Sequence, residues 1–277
     1  MYPELVDIGP VTIHSFGLMM ALAFVTAGLV TGWQLGRRGV DPDITYSLLI
    51  AAIIGGVVGA KLHYLAIHPD QFDTEAFSGT GLVWYGGLFG GALAVSVVAY
   101  LSKPPIALIA DAIAPALAAA YAVGRIGCFL NGDDYGVPTS LPWGMSFPEG
   151  SPPTTQVVHP TQLYETFGSL VILALILWVL APRLHRLGSL FWSYVFLAGV
   201  ERFLVEFVRT NDPVLAGLTQ QQWISVALIV IGGVAVWWNE SRDAELSKGP
   251  RAERRRQQRK AGKKSLTGAS EGASAGK

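Results

Sequence analysis

The stretch Ile106-Ala-Leu-Ile-Ala-Asp111-Ala-Ile-Ala-Pro115-Ala-Leu-Ala-Ala-Ala-Tyr-Ala-Val-Gly124-Arg125-Ile-Gly127-Cys128-Phe129 decides the fold class. A hydrocarbon core about 30 Å thick is crossed by roughly 20 apolar residues in a helix. This stretch has that length and carries only two charges, Asp111 and Arg125. Six others approach it: Ser15–Trp33, Thr45–Leu65, Leu82–Leu101, Leu163–Leu180, Leu187–Val208 and Gln222–Trp238. The last is bounded by Trp223, Trp237 and Trp238, which suit an interfacial aromatic belt. The reading is an all-α membrane protein of seven transmembrane helices.

Composition agrees. Of 277 residues, 51% are hydrophobic and 14% charged, against about a quarter charged in a soluble domain, and the mean hydropathy is +0.41. That apolar excess excludes disorder for most of the chain, and twenty Lys/Arg against twenty Asp/Glu exclude a nucleic-acid partner drawn by a global basic excess. A single cysteine, Cys128, excludes a disulfide framework and a cysteine-rich zinc site. Neither a metal nor a soluble cofactor is expected, since no His/Asp/Glu cluster has ligand spacing. Charge is unevenly placed: eleven Lys/Arg lie between Arg242 and Lys277, nine in everything before. Residues 1–239 therefore read as the membrane domain and 240–277 as a basic, disordered cytoplasmic tail, with binding to anionic headgroups as its alternative role.

Loop charges set the orientation. Arg37 and Arg38, Lys103, Arg183 and Arg186, and the tail follow spans one, three, five and seven, whereas loops 66–81 and 130–162 contain no Lys or Arg. The N-terminus is expected outside and the C-terminus in the cytoplasm. Met-Tyr-Pro-Glu opens the chain without a positive n-region, so the first span is expected to be retained.

Ionisable groups inside a bilayer are functional candidates by default. Here they are Lys61, Asp111, Arg125, Glu165, Glu201, Arg202 and Glu206. At 1.5 Å per residue, Arg125, Arg202 and Lys61 lie about 28, 22 and 24 Å beyond the cytoplasmic starts of their helices. Glu165 opens a helix entering from outside. All but Asp111 thus gather in the outer half of the membrane. Arg202, Glu206 and Arg209 fall at i, i+4 and i+7, on one helical face, where a carboxylate would hold two guanidinium forks. Such forks suit a phosphate. Packing of a self-neutralising triad is the alternative. Gly55, Gly56 and Gly59 in span two and Gly86, Gly87, Gly90 and Gly91 in span three let helix backbones approach closely.

Three blocks carry a more specific signal: Gly124-Arg125-Ile-Gly127-Cys128-Phe129-Leu-Asn131-Gly132-Asp133-Asp134-Tyr135-Gly136, then His159-Pro160-Thr161-Gln162-Leu163-Tyr164-Glu165, then Glu201-Arg202-Phe-Leu-Val-Glu206-Phe-Val-Arg209. In this order, with Ile13-His14-Ser-Phe16-Gly17-Leu18-Met19 opening span one, the chain resembles the prolipoprotein diacylglyceryl transferases of the bacterial inner membrane. The resemblance runs from about Gly9 to the seventh span. It implies transfer of a diacylglyceryl group from phosphatidylglycerol to the lipobox cysteine thiol of a preprolipoprotein, with release of glycerol-1-phosphate.

That chemistry builds charge on a departing phosphate, and fixed cations in a dry site are the strongest aid to it. Arg125 and Arg202 align with the two arginines the family requires, and are read as catalytic. The chain departs from the commoner family pattern at Tyr85, where many members have histidine, at Phe16 for tyrosine and at Cys128 for asparagine. The group that deprotonates the thiol is accordingly open among Tyr85, His14 and His159. Cys128 as a covalent nucleophile is outweighed by its reading as a small buried hydrophobe. Asn131 and Gly136 are expected to shape the exit turn and meet the headgroup. Glu206, Arg209, His159, Gln162 and Tyr164 complete the candidate substrate site, with packing an equal reading for Gln162 and Tyr164. Loops 66–81 and 130–162 are expected to cap the site, the second admitting the lipobox segment, and membrane lipids are expected to enter between helices. The competing class is a lipid-binding or transport protein without chemistry; clustering of the charges at one depth argues against it.

Overall fold

The computed structural model describes residues 3–8, 11–69 and 83–248. Seven helices account for most of them: α1 (Ser15–Arg37), α2 (Ile44–Ile67), α3 (Trp84–Leu101), α4 (Ile106–Asn131), α5 (Thr161–Ala174), α6 (Ser189–Val205) and α7 (Gln220–Lys248). α5 continues as a π-helical turn, Leu175–Leu180, and α6 tightens into a 3-10 turn, Glu206–Val208. α1, α2, α4, α5 with its π turn, and α7 are long and apolar enough to cross a bilayer, which makes this a multi-pass membrane protein. α3 and α6, at 18 and 17 residues, rise only about 27 and 26 Å.

The chain is mostly helical, but not wholly so. Three antiparallel hairpins pair β1 (Glu4–Ile8) with β2 (Val11–His14), β3 (Met145–Phe147) with β4 (Thr154–Val158), and β5 (Pro213–Leu215) with β6 (Leu218–Thr219). This corrects the all-α reading, which passed over runs as short as Val11-Thr-Ile-His14 and Thr154-Thr-Gln-Val-Val158. β-branched residues dominate those runs, and they favour an extended backbone. The backbone N–H of Val137 donates to Val208 O (2.9 Å), and that of Gly136 to His159 O (2.9 Å). The exit of α4, the entry to α5 and the exit of α6 therefore meet at one end of the bundle. Of loop 66–81, residues 70–81 lie outside the described residues. α7 runs through Trp238 to Lys248, and 249–277 lie outside the described residues.

α4 is the central helix. Half of its apolar window is buried, against 11–22% in the other four long helices. Its buried residues are mostly alanine, including Ala112, Ala116, Ala118 and Ala122, so neighbours close on it. Ala118 packs with Ile172, Ile176 and Leu190, and Ile109 with Leu48 and Ala99. α2 and α3 form a tight pair, as their glycines predict. A Cβ on Gly59 would run into the Gly86 carbonyl oxygen, and one on Gly55 would meet Ala94 Cβ and Gly90 O.

Asp111, the one intramembrane charge that depth set apart, has a structural partner. Its carboxylate accepts from the backbone N–H of Gly188 (2.7 Å) and Phe191 (3.0 Å), so it caps α6 from a neighbouring helix. Glu240 of α7 joins the same end, accepting from Ser189 Oγ (2.7 Å) and the Arg186 N–H (3.2 Å). Asp111 thereby satisfies N–H groups that begin the helix, and Glu240 fixes the loop that leads into it.

Candidate functional site

At the other end of the bundle the charges converge on one carboxylate. Glu165, in the second turn of α5 and 1% exposed, is reached from three directions. Arg125 of α4 places Nε 2.9 Å from Oε2 and donates from Nη2 to Oε1 at 3.0 Å. Arg202 of α6 donates from Nη1 to Oε1 at 2.9 Å, and Arg209 Nη1 lies 3.6 Å from Oε2. The Tyr121 hydroxyl, one turn before Arg125, donates to Oε1 (3.0 Å) and accepts from Arg125 Nε (3.0 Å). Arg125 and Arg202 thus meet, as the depth arithmetic required, and Glu165 is the group between them.

A second carboxylate fixes Arg202. Glu206 lies 2.8 Å from Arg202 Nη2 and accepts from Thr219 Oγ1 (2.8 Å) and Asn211 Nδ2 (2.7 Å). Thr219 and Gln222 form a reciprocal cap on α7: the Gln222 N–H donates to Thr219 Oγ1 (3.2 Å), and the Thr219 N–H to Gln222 Oε1 (3.0 Å). The expected single-face triad is only half right. The helix ends at Val205 and Arg209 has extended backbone, so its Nε stands 4.0 Å from Glu206. Its close partner is instead Asp134, 2.6 Å from Nη2.

Asp134 is bonded on both sides, since its other oxygen accepts from Arg125 Nη1 at 2.7 Å. Burial alone would raise this carboxyl, but Arg209 and Arg125 outweigh it and hold it below the usual carboxylate range. Burial pushes the neighbouring Asp133 carboxyl up, against the bond donated by Asn131 Nδ2 (2.6 Å). The turn that presents these acids starts at Gly132, whose φ of +72° ends α4 in a left-handed cap. The Asn131 amide bonds within this turn, to Asp133. Gly136 is buried where three segments cross: a Cβ there would strike Val208 O and stand 2.8 Å from Thr161 Cγ2. Gln162, fully buried, donates from Nε2 to Asp133 O, so it ties α5 to the exit turn.

His159 and Tyr164 lie on a different surface. Tyr164 OH accepts from Trp143 Nε1 (2.8 Å) and sits 3.1 Å from His159 Nδ1. Together with Leu204, Val205 and Val208 they line an apolar cleft of about 440 Å³. His14 is exposed at the end of β2, and Tyr85 is half-buried at the start of α3, beside Gly86 where it packs on Gly59 and His63. Phe16 and Met19 of α1 lie against Gly127. Glu201 turns away from the arginine cluster to Ser169, whose hydroxyl lies 3.1 Å from both of its oxygens.

Cys128, Asp133 and Asp134 bring three ligand-type atoms within 4.8 Å of one another. Arg125 Nη1 stands 3.5 Å from Cys128 Sγ and is bonded to Asp134, so a cation there would face a guanidinium.

Sequence reasoning left Tyr121 and Asp134 out of the site, and counted Glu165 among the intramembrane charges without giving it a role. Glu165 was visible as a charge in an apolar run, and Tyr121 as the residue one turn from Arg125. Asp134 had no signal beyond being an acid in a loop.

The comparisons with known proteins bear on this geometry directly. A family model described as prolipoprotein diacylglyceryl transferase matches residues 3–238 and so contains every group named above except Glu240. A phosphatidylglycerol–prolipoprotein diacylglyceryl transferase of Trichormus variabilis is 33% identical over 253 residues, covering 85% of this chain and 89% of its own. The enzyme of the same name from Clostridium tetani is 34% identical over 240 residues, covering 84% and 95%. Arginines from α4 and α6 meeting on an α5 carboxylate, within a match that spans nearly the whole membrane part, lead to one conclusion: the chain belongs to the prolipoprotein diacylglyceryl transferase family.

Proposed function

We propose that this chain transfers the diacylglyceryl group of phosphatidylglycerol to the lipobox cysteine thiol of preprolipoproteins, forming a thioether and releasing glycerol-1-phosphate. The observation that carries the reading is the meeting of Arg125 and Arg202 around Glu165. These guanidiniums come from helices far apart in sequence, yet are fixed to within hydrogen-bond distance of one carboxylate. Attack of the thiolate on the glyceryl carbon breaks the C–O bond to phosphate, and the electron pair goes to the phosphate oxygen. Cations already held in place stabilise that charge without reorganising. Arg125, Arg202 and Arg209 take the phosphate in this reading, and Glu206 acts through Arg202. Asn131 and Gly136 form the turn that flanks the headgroup. Gln162 holds that turn, and His159 and Tyr164 line the neighbouring cleft. The thiol's proton goes to His14, Tyr85 or His159.

The same proposal includes seven spans in the inner membrane of a bacterium, with the N-terminus outside and the C-terminus in the cytoplasm. Membrane lipids and the lipobox segment reach the site from the bilayer, beneath loop 130–162. The basic segment beyond the membrane domain stays cytoplasmic.

Purified protein, phosphatidylglycerol and a lipobox peptide test the reading. The peptide cysteine should gain the mass of one diacylglyceryl group. Arg125→Ala and Arg202→Ala should abolish the gain, and Lys at either position should keep little of it, because the two-pronged geometry is lost. Full transfer by Arg202→Ala would refute the assignment. Lipid binding with no mass gain in the unmodified chain would favour the non-catalytic class.

A further inference from the structure

The cluster poses a problem of charge. Three guanidiniums, Arg125, Arg202 and Arg209, are already matched by three carboxylates, Glu165, Glu206 and Asp134. A phosphodiester adds one negative charge, and its cleavage adds a second. In a site shielded from water such an excess is strongly disfavoured unless a carboxylate leaves.

Exposure identifies which one. The Glu165 and Glu206 side chains are 1% and 0% exposed, and each carries hydroxyl or amide bonds besides its arginines. The Asp134 side chain is 41% exposed, and its described bonds run to Arg125 and Arg209 alone. One oxygen serves each guanidinium, at 2.7 and 2.6 Å, which is the pattern two phosphate oxygens would adopt. Its backbone is anchored separately. The carbonyl accepts from Thr161 Oγ1 (2.6 Å) and Arg209 Nη1 (3.1 Å), and φ is +60°, a region non-glycine residues occupy when neighbours hold them there. The side chain can therefore rotate into water while the turn stays in place.

Resting on the transferase reading, we propose that the Asp134 carboxylate competes with the lipid phosphate for Arg125 and Arg209, and that phosphatidylglycerol engages them by exchanging with it. Asp134 is a positioning residue that sets lipid affinity. It keeps the guanidiniums paired until an anion able to bridge both displaces it, and a zwitterionic lipid makes that exchange less favourable than an anionic one.

The full chain in lipid nanodiscs tests this, with initial rates of peptide modification followed against the phosphatidylglycerol fraction. Asp134→Asn should lower the apparent KM for phosphatidylglycerol about ten-fold, the scale of one charge-assisted bond, while kcat does not rise. A KM that is unchanged or higher would overturn the proposal, because a purely structural Asp134 could only weaken binding when removed. A second measurement uses the unmodified chain. Carbodiimide coupling of an amine, read by peptide mass spectrometry, should label Asp134 several-fold faster in phosphatidylglycerol nanodiscs than in phosphatidylcholine nanodiscs. Equal labelling would overturn the exchange. Labelling is scored without turnover, so failure of the exchange is distinguishable from failure of the transferase reading, which shows as no peptide mass gain in the unmodified chain.

Discussion

Glu165, itself closed to water, holds two guanidiniums from two helices and a tyrosine hydroxyl. Removing one partner from a buried ion pair leaves the others uncompensated, at a penalty of about 3–5 kcal/mol. Glu165→Gln should therefore melt at a much lower temperature in detergent and lose transfer as well. Tyr121→Phe removes only the hydroxyl, worth about 1 kcal/mol, so it should fold and lose part of its rate. Asp134 should show its own pH signature. A folded carboxyl held below its ordinary value of about 3.8 contributes stability that is present above that value and lost as pH falls through the lower one. The melting temperatures of the unmodified chain and Asp134→Asn should differ by a constant amount from neutral pH to about 4 and converge in stronger acid. At this scale the sequence was legible where burial made a residue anomalous. Arg125 and Arg202 announced themselves as charges in apolar runs. Asp134 sits in a polar turn where an acid is unremarkable, and only the three-dimensional approach of Arg209 gives it a role.

At the scale of helices, two glycines with similar sequence surroundings have opposite structural demands. A Cβ on Gly59 would meet the backbone of α3, which cannot yield as a side chain end can, whereas a Cβ on Gly124 meets nothing within 4 Å. Gly59→Ala should separate α2 from α3 and destabilise the protein by about 1–3 kcal/mol. Gly124→Ala should be neutral or slightly stabilising, since alanine favours a helix. Denaturation of the two variants side by side checks this. Periodicity exposed the glycines of α2 and α3 as a packing pair, because small residues four apart have few other uses in lipid. It did not expose the end of α6. The 3-10 turn at Glu206 leaves composition unchanged, so an ideal helix extrapolated to Arg209 put that residue on a face it does not occupy.

Across the whole molecule, the polar groups divide into two ends with different tasks. Asp111 and Glu240 close the start of α6 at one end, while the arginine cluster occupies the other. The multi-pass character was legible in the sequence, since hydropathy is summed over long stretches and tolerates local error. The three hairpins escaped notice because each is too short to show a periodic pattern. The groups that build the site end at Gln222, and the family match ends at 238. A chain truncated after Lys248 should therefore retain transfer in the peptide assay. With Cys128 replaced by serine, a membrane-impermeant thiol reagent should label Ser151→Cys from outside and Ser241→Cys only after the membrane is opened.

The bond between Arg125 and Glu165 spans 40 positions of sequence, and Arg202 follows Glu165 by another 37. During synthesis, then, Asp134, nine positions on, is the early partner of Arg125, and the carboxylate shared with Arg202 follows only with the fifth helix. The order of the chain is thus also an order of partnership: Arg125 can meet Asp134 as soon as the exit turn is made, and Glu165 and Arg202 only later.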